Sequence, residues 1–120
     1  CNANIETIIP YLDIFTKNMH KVHLILQFAL WQLEGIRHWQ RDALFDAMKS
    51  LSDSLGLKVK DFFAPLFIAI AGTTASISVV DSMAILGPDM SRARVRHAID
   101  VLGGVGKKKL KKLEKAYSAL

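Results

Sequence analysis

FFAPLFIAIAGTTASISVV, from Phe62 to Val80, is a nineteen-residue stretch without one charged side chain, fenced by Asp61 and Asp81. Its length meets the requirement for crossing a bilayer. Its interior argues otherwise. Gly72, Thr73, Thr74, Ser76 and Ser78 break up the centre and second half, and no basic cluster anchors either edge. The dense apolar part is the length of a core helix. The stretch therefore predicts a buried helix over Phe62–Ala71, stopped by Gly72, and then a polar loop from Thr73 to Ser78. Pro65 marks either a helix start or a kink.

Working outward, helical periodicity dominates. Between Asn18 and Gly35 the residues Val22, Leu24, Ile25, Leu26, Phe28, Ala29, Leu30, Trp31 and Leu33 are too continuous for a surface helix and predict one enclosed by neighbours. In DALFDAMKSLSDSLG the apolar steps Leu44, Ala47/Met48, Leu51 and Leu55 fit a helix closed by Gly56 in the left-handed conformation. Ser78 can cap a short helix through Leu86, which Gly87-Pro88 stops. Asp89 or Ser91 can cap the next, which turns Val95, Ile99 and Leu102 inward before Gly103-Gly104. A last helix from about Gly106 to Leu120 places Leu110, Leu113, Tyr117 and Leu120 on one stripe and most of its lysines on the other face. The β-branched clusters lack hairpin turn residues. The expected fold class is all-α, a compact bundle or cage of about six or seven helices with short loops.

One hundred and twenty residues make a single domain the simplest expectation. An apolar content of 51% with 22% charged residues excludes a disordered chain. Cys1 is the only cysteine, so no internal disulfide forms, and a reduced, cytoplasmic setting is expected. The opening Cys1-Asn2-Ala3 reads as a cloning remnant on a fragment of something longer. Residues 4–105 then form the helical domain, and residues 106–120 a basic amphipathic helix packed on it. Charge is uneven. Residues 91–120 hold nine Lys/Arg against Asp100 and Glu114, whereas the first ninety hold seven basic and nine acidic side chains. A basic end on a near-neutral body fits an anionic partner, or a plain solvated face.

Catalytic chemistry finds little support. His20 and His23 can share a helix face, but no second ligand pair lies at a usable spacing, and His38 and His97 are isolated. GGVGKKK has the residue types of a phosphate loop without its spacing, its terminal Ser/Thr or a preceding strand. No metal site, catalytic residue or cofactor is expected in this chain.

The stretch LGLKVKDFFAPLFIAIAGTTASISVVDSMAILG resembles the all-helical anticodon-binding domain, or α-helical cage, of bacterial glutamyl-tRNA synthetases. Trp39 precedes a helix ending in Leu55-Gly56-Leu57-Lys58. Pro65-Leu66 opens the next block, and Ala69, Gly72, Ser76, Leu86 and Gly87 fall at matching positions without a gap. Arg94 to Leu102 resembles the closing helix, so the likeness covers Val22 to Leu102. The resemblance implies a tRNA-binding module, with a glutamate-accepting tRNA as partner. Glutamate–tRNA ligase activity, with ATP and magnesium, would belong to a separate catalytic domain, whose HIGH-like and KMSKS-like signatures this chain lacks. No membrane partner is implied, and a monomer is favoured.

Three positions depart from the family pattern: Phe67 stands for an Arg associated with reading an anticodon base, Ala71 for Thr, and Ile77 for Pro. Losing the Arg removes a planar, multi-donor group. Phe67 can stack on a splayed base or simply pack in the core. The hydroxyls of Thr73, Thr74 and Ser76 can meet phosphates or base edges, or serve the turn. Lys58 and Lys60 flank the same block. Arg92 and Arg96 lie one turn apart while Arg94 points elsewhere, so the three cannot make one narrow stripe. Lys107, Lys108, Lys111 and Lys112 complete the expected RNA-binding set. Two other readings stay open: a protein-interaction domain whose basic tail joins an acidic partner, and the related cage of a class I lysyl-tRNA synthetase.

Overall fold

The computed structural model describes residues 19–71 and 78–120. Six helices follow one another: α1 (Met19–Glu34), α2 (Arg41–Ser54), α3 (Val59–Ala71), α4 (Val79–Leu86), α5 (Pro88–Val101) and α6 (Lys107–Ser118). No strand occurs among the described residues, and the all-α expectation holds.

The apolar continuity of α1 has a direct consequence. With Leu26, Phe28, Ala29 and Leu33 all essentially inaccessible, the helix must be covered on several sides, and α2, α3, α5 and α6 all pack against it. The amphipathic helices around it bury single stripes: Leu44, Met48 and Leu51 from α2, Phe62, Leu66 and Ile70 from α3, Val95 and Ile99 from α5. The short α4 closes the far side against α2, α3 and α5, contributing Val79, Val80 and Met83. Each such Leu or Phe side chain, taken fully out of water, contributes about 1.5–3 kcal/mol.

The helix ends are built from local chemistry. After α2, Gly56 takes φ +69°. Its N–H bonds to Asp53 O at 3.0 Å and that of Leu57 to Ser52 O at 3.0 Å, so two otherwise orphaned carbonyls are satisfied as a Schellman turn. The buried Ser52 hydroxyl returns the favour by donating to Leu57 O at 3.0 Å. At the other kind of end, Ser78 caps α4 as its sequence predicts: its Oγ accepts from the Asp81 N–H at 3.2 Å and donates to Asp81 Oδ2 at 2.6 Å.

Two helices start earlier than the sequence pattern suggests. α3 begins at Val59, so Pro65 lies inside the helix and does not start it. Pro65 leaves the carbonyl four residues back, on exposed Asp61, without its helical donor, a loss that water can make good there. α5 begins at Pro88, ahead of both expected caps, because a proline at the first helical position has no N–H to satisfy and a φ already suited to the helix. Asp89 sits in its first turn, and Ser91 is buried, its hydroxyl donating to Met83 O at 3.3 Å.

Of the uncharged stretch, Phe62–Ala71 belongs to α3 and Val79–Val80 to α4, while the expected stop at Gly72 and the loop residues 73–77 lie outside the described residues. Among the described residues no helix is long and apolar enough to cross a membrane.

Candidate nucleic-acid interface

The first node ties α4 and α5 to the segment before α2. Met83 O accepts the Trp39 indole N–H at 2.7 Å and the backbone N–H of Gly87 at 3.0 Å, besides the Ser91 hydroxyl. Arg92 lies over the Trp39 ring with its guanidinium carbon 5.8 Å from the ring centroid, close enough for cation–π attraction. The same guanidinium donates through Nε to Pro88 O at 3.1 Å and stands 3.7 Å from Asp89. Only 22% of the Arg92 side chain is exposed. Arg92 is therefore engaged in holding the start of α5.

Arg94 is engaged too. Its Nη1 donates to Ile70 O, one of the last carbonyls of α3, placing a fixed cation at the negative end of that helix. Arg96 is exposed on the opposite flank of α5. The three arginines of the RNA-binding set thus have three different surroundings, although spacing alone separates only Arg94 from the other two.

Around α3, Lys58 and Lys60 are exposed at its beginning, while Arg94 meets its end. Twelve residues separate Lys58 from Ile70, roughly 18 Å along a helix axis, so these cations cannot share one phosphate. Phe67 lies between, half-buried and packed against the core, with part of the ring accessible. Thr73, Thr74 and Ser76 lie outside the described residues.

On the opposite side of the core, α6 packs on α1 alone among the helices. Leu113 is buried, and Tyr117 inserts against Phe28 and Trp31 with ring centroids 5.2 and 5.4 Å away. The Tyr117 hydroxyl donates to Gln32 Oε1 at 2.7 Å, and burial pushes its pKa up. Within the first turn of α6, the Lys109 ammonium donates to His23 Nδ1 at 2.9 Å. The other ring nitrogen of His23 is 3.1 Å from Leu102 O, so the imidazole carries its proton there and joins α1, the end of α5 and α6. Burial lowers the pKa of Lys109.

With Lys109 turned inward, Lys107, Lys108, Lys111, Lys112 and Lys115 are all exposed. At 3.6 residues per turn they occupy an arc of roughly 140°, opposite the Leu113–Tyr117 seam. The sequence reading gathered four of them and passed over Lys115, although its spacing of four from Lys111 places it in the same row. It also passed over the ion pair of Arg41 with Asp81, 2.8 Å apart, which joins the start of α2 to the cap of α4. The Ser78-x-x-Asp81 spacing signals the cap, but nothing local signals Arg41.

A family model described as "Anticodon binding domain" matches residues 9–99, about three-quarters of the chain. The chain belongs to the anticodon binding domain family. Among its relatives, a glutamate–tRNA ligase from Cellvibrio japonicus is 63% identical over 95 residues, covering 79% of this chain and 19% of that protein. Those from Marinobacter nauticus and Pseudomonas fluorescens are 54% and 44% identical over 100 residues, covering 83% of this chain and 20% of each. This anticodon binding domain thus spans about a fifth of the length of those ligases. The sequence resemblance is confirmed, and the match places α6 outside the family segment, since α6 begins at Lys107.

Proposed function

We propose that this anticodon binding domain recognises the anticodon region of a glutamate-accepting tRNA, as the non-catalytic part of a cytoplasmic glutamate–tRNA ligase. The observation that carries the reading is the 63% identity to a glutamate–tRNA ligase across four-fifths of the chain, in a segment matched by the anticodon binding model. Glutamate activation with ATP and magnesium belongs, on this reading, to a catalytic part of the ligase outside this chain.

The α3 region is the assigned base-reading side. Lys58 and Lys60 offer ammonium groups to phosphates at its start, and the accessible part of Phe67 offers a ring on which an unstacked base can lie. Thr73, Thr74 and Ser76 complete that set, and Arg96 is a separate exposed cation on α5. Arg94 contributes by fixing the end of α3, and Arg92 by fixing α5 through Trp39. An aromatic ring in place of the family's arginine exchanges a directional contact to a base edge for stacking, which tolerates more bases.

The test is a binding titration of the chain with a glutamate-accepting tRNA and with the same tRNA carrying a replaced anticodon. Tighter binding of the unaltered tRNA is expected. Phe67→Ala should weaken it by about 1–3 kcal/mol, the range for one base stacked on an aromatic side chain. Equal affinity for the two tRNAs, unaffected by Phe67→Ala, overturns the reading.

A further inference from the structure

We propose that the outer face of α6 is a second RNA contact, a sequence-indifferent grip on phosphates that works independently of the base-reading side. The choice of RNA as partner rests on the function proposed above; the existence and direction of the face do not.

The face is constructed rather than incidental. The Leu113–Tyr117 seam, the Tyr117–Gln32 bond and the Lys109–His23 bond fix the rotation of α6 about its axis. That rotation leaves Lys107, Lys108, Lys111, Lys112 and Lys115 directed together into solvent. None of these five takes part in an ion pair among the described residues, where only Arg41, Lys49 and Arg92 do. The charges also oppose the helix that carries them. Lys107 and Lys108 stand in the first turn, at the positive end of the helix dipole, with no acidic residue there to offset them. Lys107–Lys111, Lys108–Lys112 and Lys111–Lys115 are like charges at the spacing where they repel. A sequence shaped only for stability would place acidic residues in several of these positions.

Two other partners fit the face less well. An anionic membrane is gripped by an amphipathic helix through its apolar side, and here that side is spent on α1. A protein partner would be expected to meet Arg, Tyr or Trp at the centre of the patch, residues enriched at interfaces where Lys is depleted. A face of five lysines, with Ser118 among them, Glu114 at its edge and no aromatic residue, suits the repeating point charges of a nucleic-acid backbone. The row Lys107–Lys111–Lys115 is roughly 12 Å long, enough to follow several successive phosphates.

The test compares the full chain with K107Q/K108Q/K111Q/K112Q/K115Q. Both are titrated across salt with the glutamate-accepting tRNA, its anticodon-replaced form, and a plain RNA duplex with no loop. Circular dichroism and thermal melting confirm that both proteins are folded, and a five-fold Lys→Arg variant restores the charge. The expected result is duplex binding by the unaltered chain that the Gln variant loses and the Arg variant keeps. For tRNA, the slope of log affinity against log salt should flatten by roughly 3.5–4.5 if each lysine engages a phosphate, with the ratio between the two tRNAs unchanged. An unaltered slope and affinity in the Gln variant overturns the proposal. So does a collapse of the ratio, which would place α6 within the base-reading side, or, in a parallel titration with phosphatidylserine vesicles, a loss in the Gln variant confined to the vesicles. A chain that shows no anticodon preference, yet loses its salt slope in the Gln variant, overturns the proposed function and leaves the α6 grip standing.

Discussion

Arg92 sits over the indole of Trp39 while the nitrogen of that indole donates to Met83 O at 2.7 Å, so one aromatic side chain joins the α4–α5 corner to the segment before α2. The carbonyl it reaches is also used by Gly87 and Ser91. Met83 O therefore keeps two partners if the indole N–H is lost, and the cost of losing it falls at the modest end.

Trp39→Phe should accordingly destabilise the domain by about 0.5–1.5 kcal/mol, the net value of one such hydrogen bond together with a smaller ring. Trp39→Ala should cost more, up to about 3 kcal/mol, the low end for a core aromatic because this ring is only partly buried, as the Arg92 guanidinium loses its platform and the corner its filler. Urea titrations of the two variants should separate them clearly. Equal losses would show that the ring's volume, and not its N–H, carries no weight of its own.

Core and surface apolar residues should differ sharply. Leu66 is fully buried in α3, whereas Ile85, on the outer side of α4, is 78% exposed. Leu66→Ala is expected to cost about 2–5 kcal/mol through lost transfer energy and the cavity left behind. Ile85→Ala should fall within about 0.5 kcal/mol of the parent chain, as surface changes do. Denaturant midpoints at a constant slope provide the measurement.

These contrasts bear on what could be foreseen from residues alone. The steps Leu44–Met48–Leu51 declare a helix with one buried face, Gly56 declares its end, and Ser78 the start of another, because each signal is confined to neighbours within a turn. The continuous apolar run of α1 likewise announces a helix covered all round. The starts of α3 and α5 were less legible, since Lys58 carries no cap signature and a Gly87-Pro88 pair reads equally as a stop. The roles of Arg92 and Arg94 were out of reach. Their partners, Trp39 and Ile70 O, lie 53 and 24 residues away, and only the folded chain decides that two of three arginines are engaged by other elements. The inward turn of Lys109 has the same origin, for its partner His23 stands 86 residues away.

The Arg41–Asp81 pair should appear in the acid limb of stability. The Ser78 hydroxyl, and then the Arg41 guanidinium, hold the Asp81 carboxyl below its ordinary value. Between its folded and unfolded values the unfolded chain binds the extra proton. The contribution is therefore fully present above about pH 4, the unfolded carboxylate value, and is lost as pH falls through the lower folded value. Asp81→Asn removes this dependence. Its stability deficit relative to the parent should be largest near neutral pH and shrink below pH 4. A deficit that stays constant down to pH 2 would assign the loss to the cap geometry and not to the charge.

At the alkaline end the relevant group is Tyr117. Burial raises its pKa, so the phenol contributes fully below its unfolded value near pH 10 and loses that contribution as pH rises through the folded value. Tyr117→Phe keeps the contacts with Phe28 and Trp31 but leaves Gln32 Oε1 without the hydroxyl that donates to it. It should cost about 0.5–1.5 kcal/mol at neutral pH, and less above pH 10, where the parent tyrosine itself ionises. Because α6 packs only on α1, the weakening should be local. Amide exchange should quicken in α6 and leave α2 to α5 almost unchanged. Tyr117→Ala should go further and free the helix, so that a protease cuts after Lys107 or Lys108 while the remaining helices stay folded. Since the five outward lysines depend on this seam for their common direction, the same variant should also weaken duplex RNA binding without removing a single charge. If amide exchange quickens uniformly across all six helices instead, α6 is an integral part of the cooperative core and not a helix docked upon it.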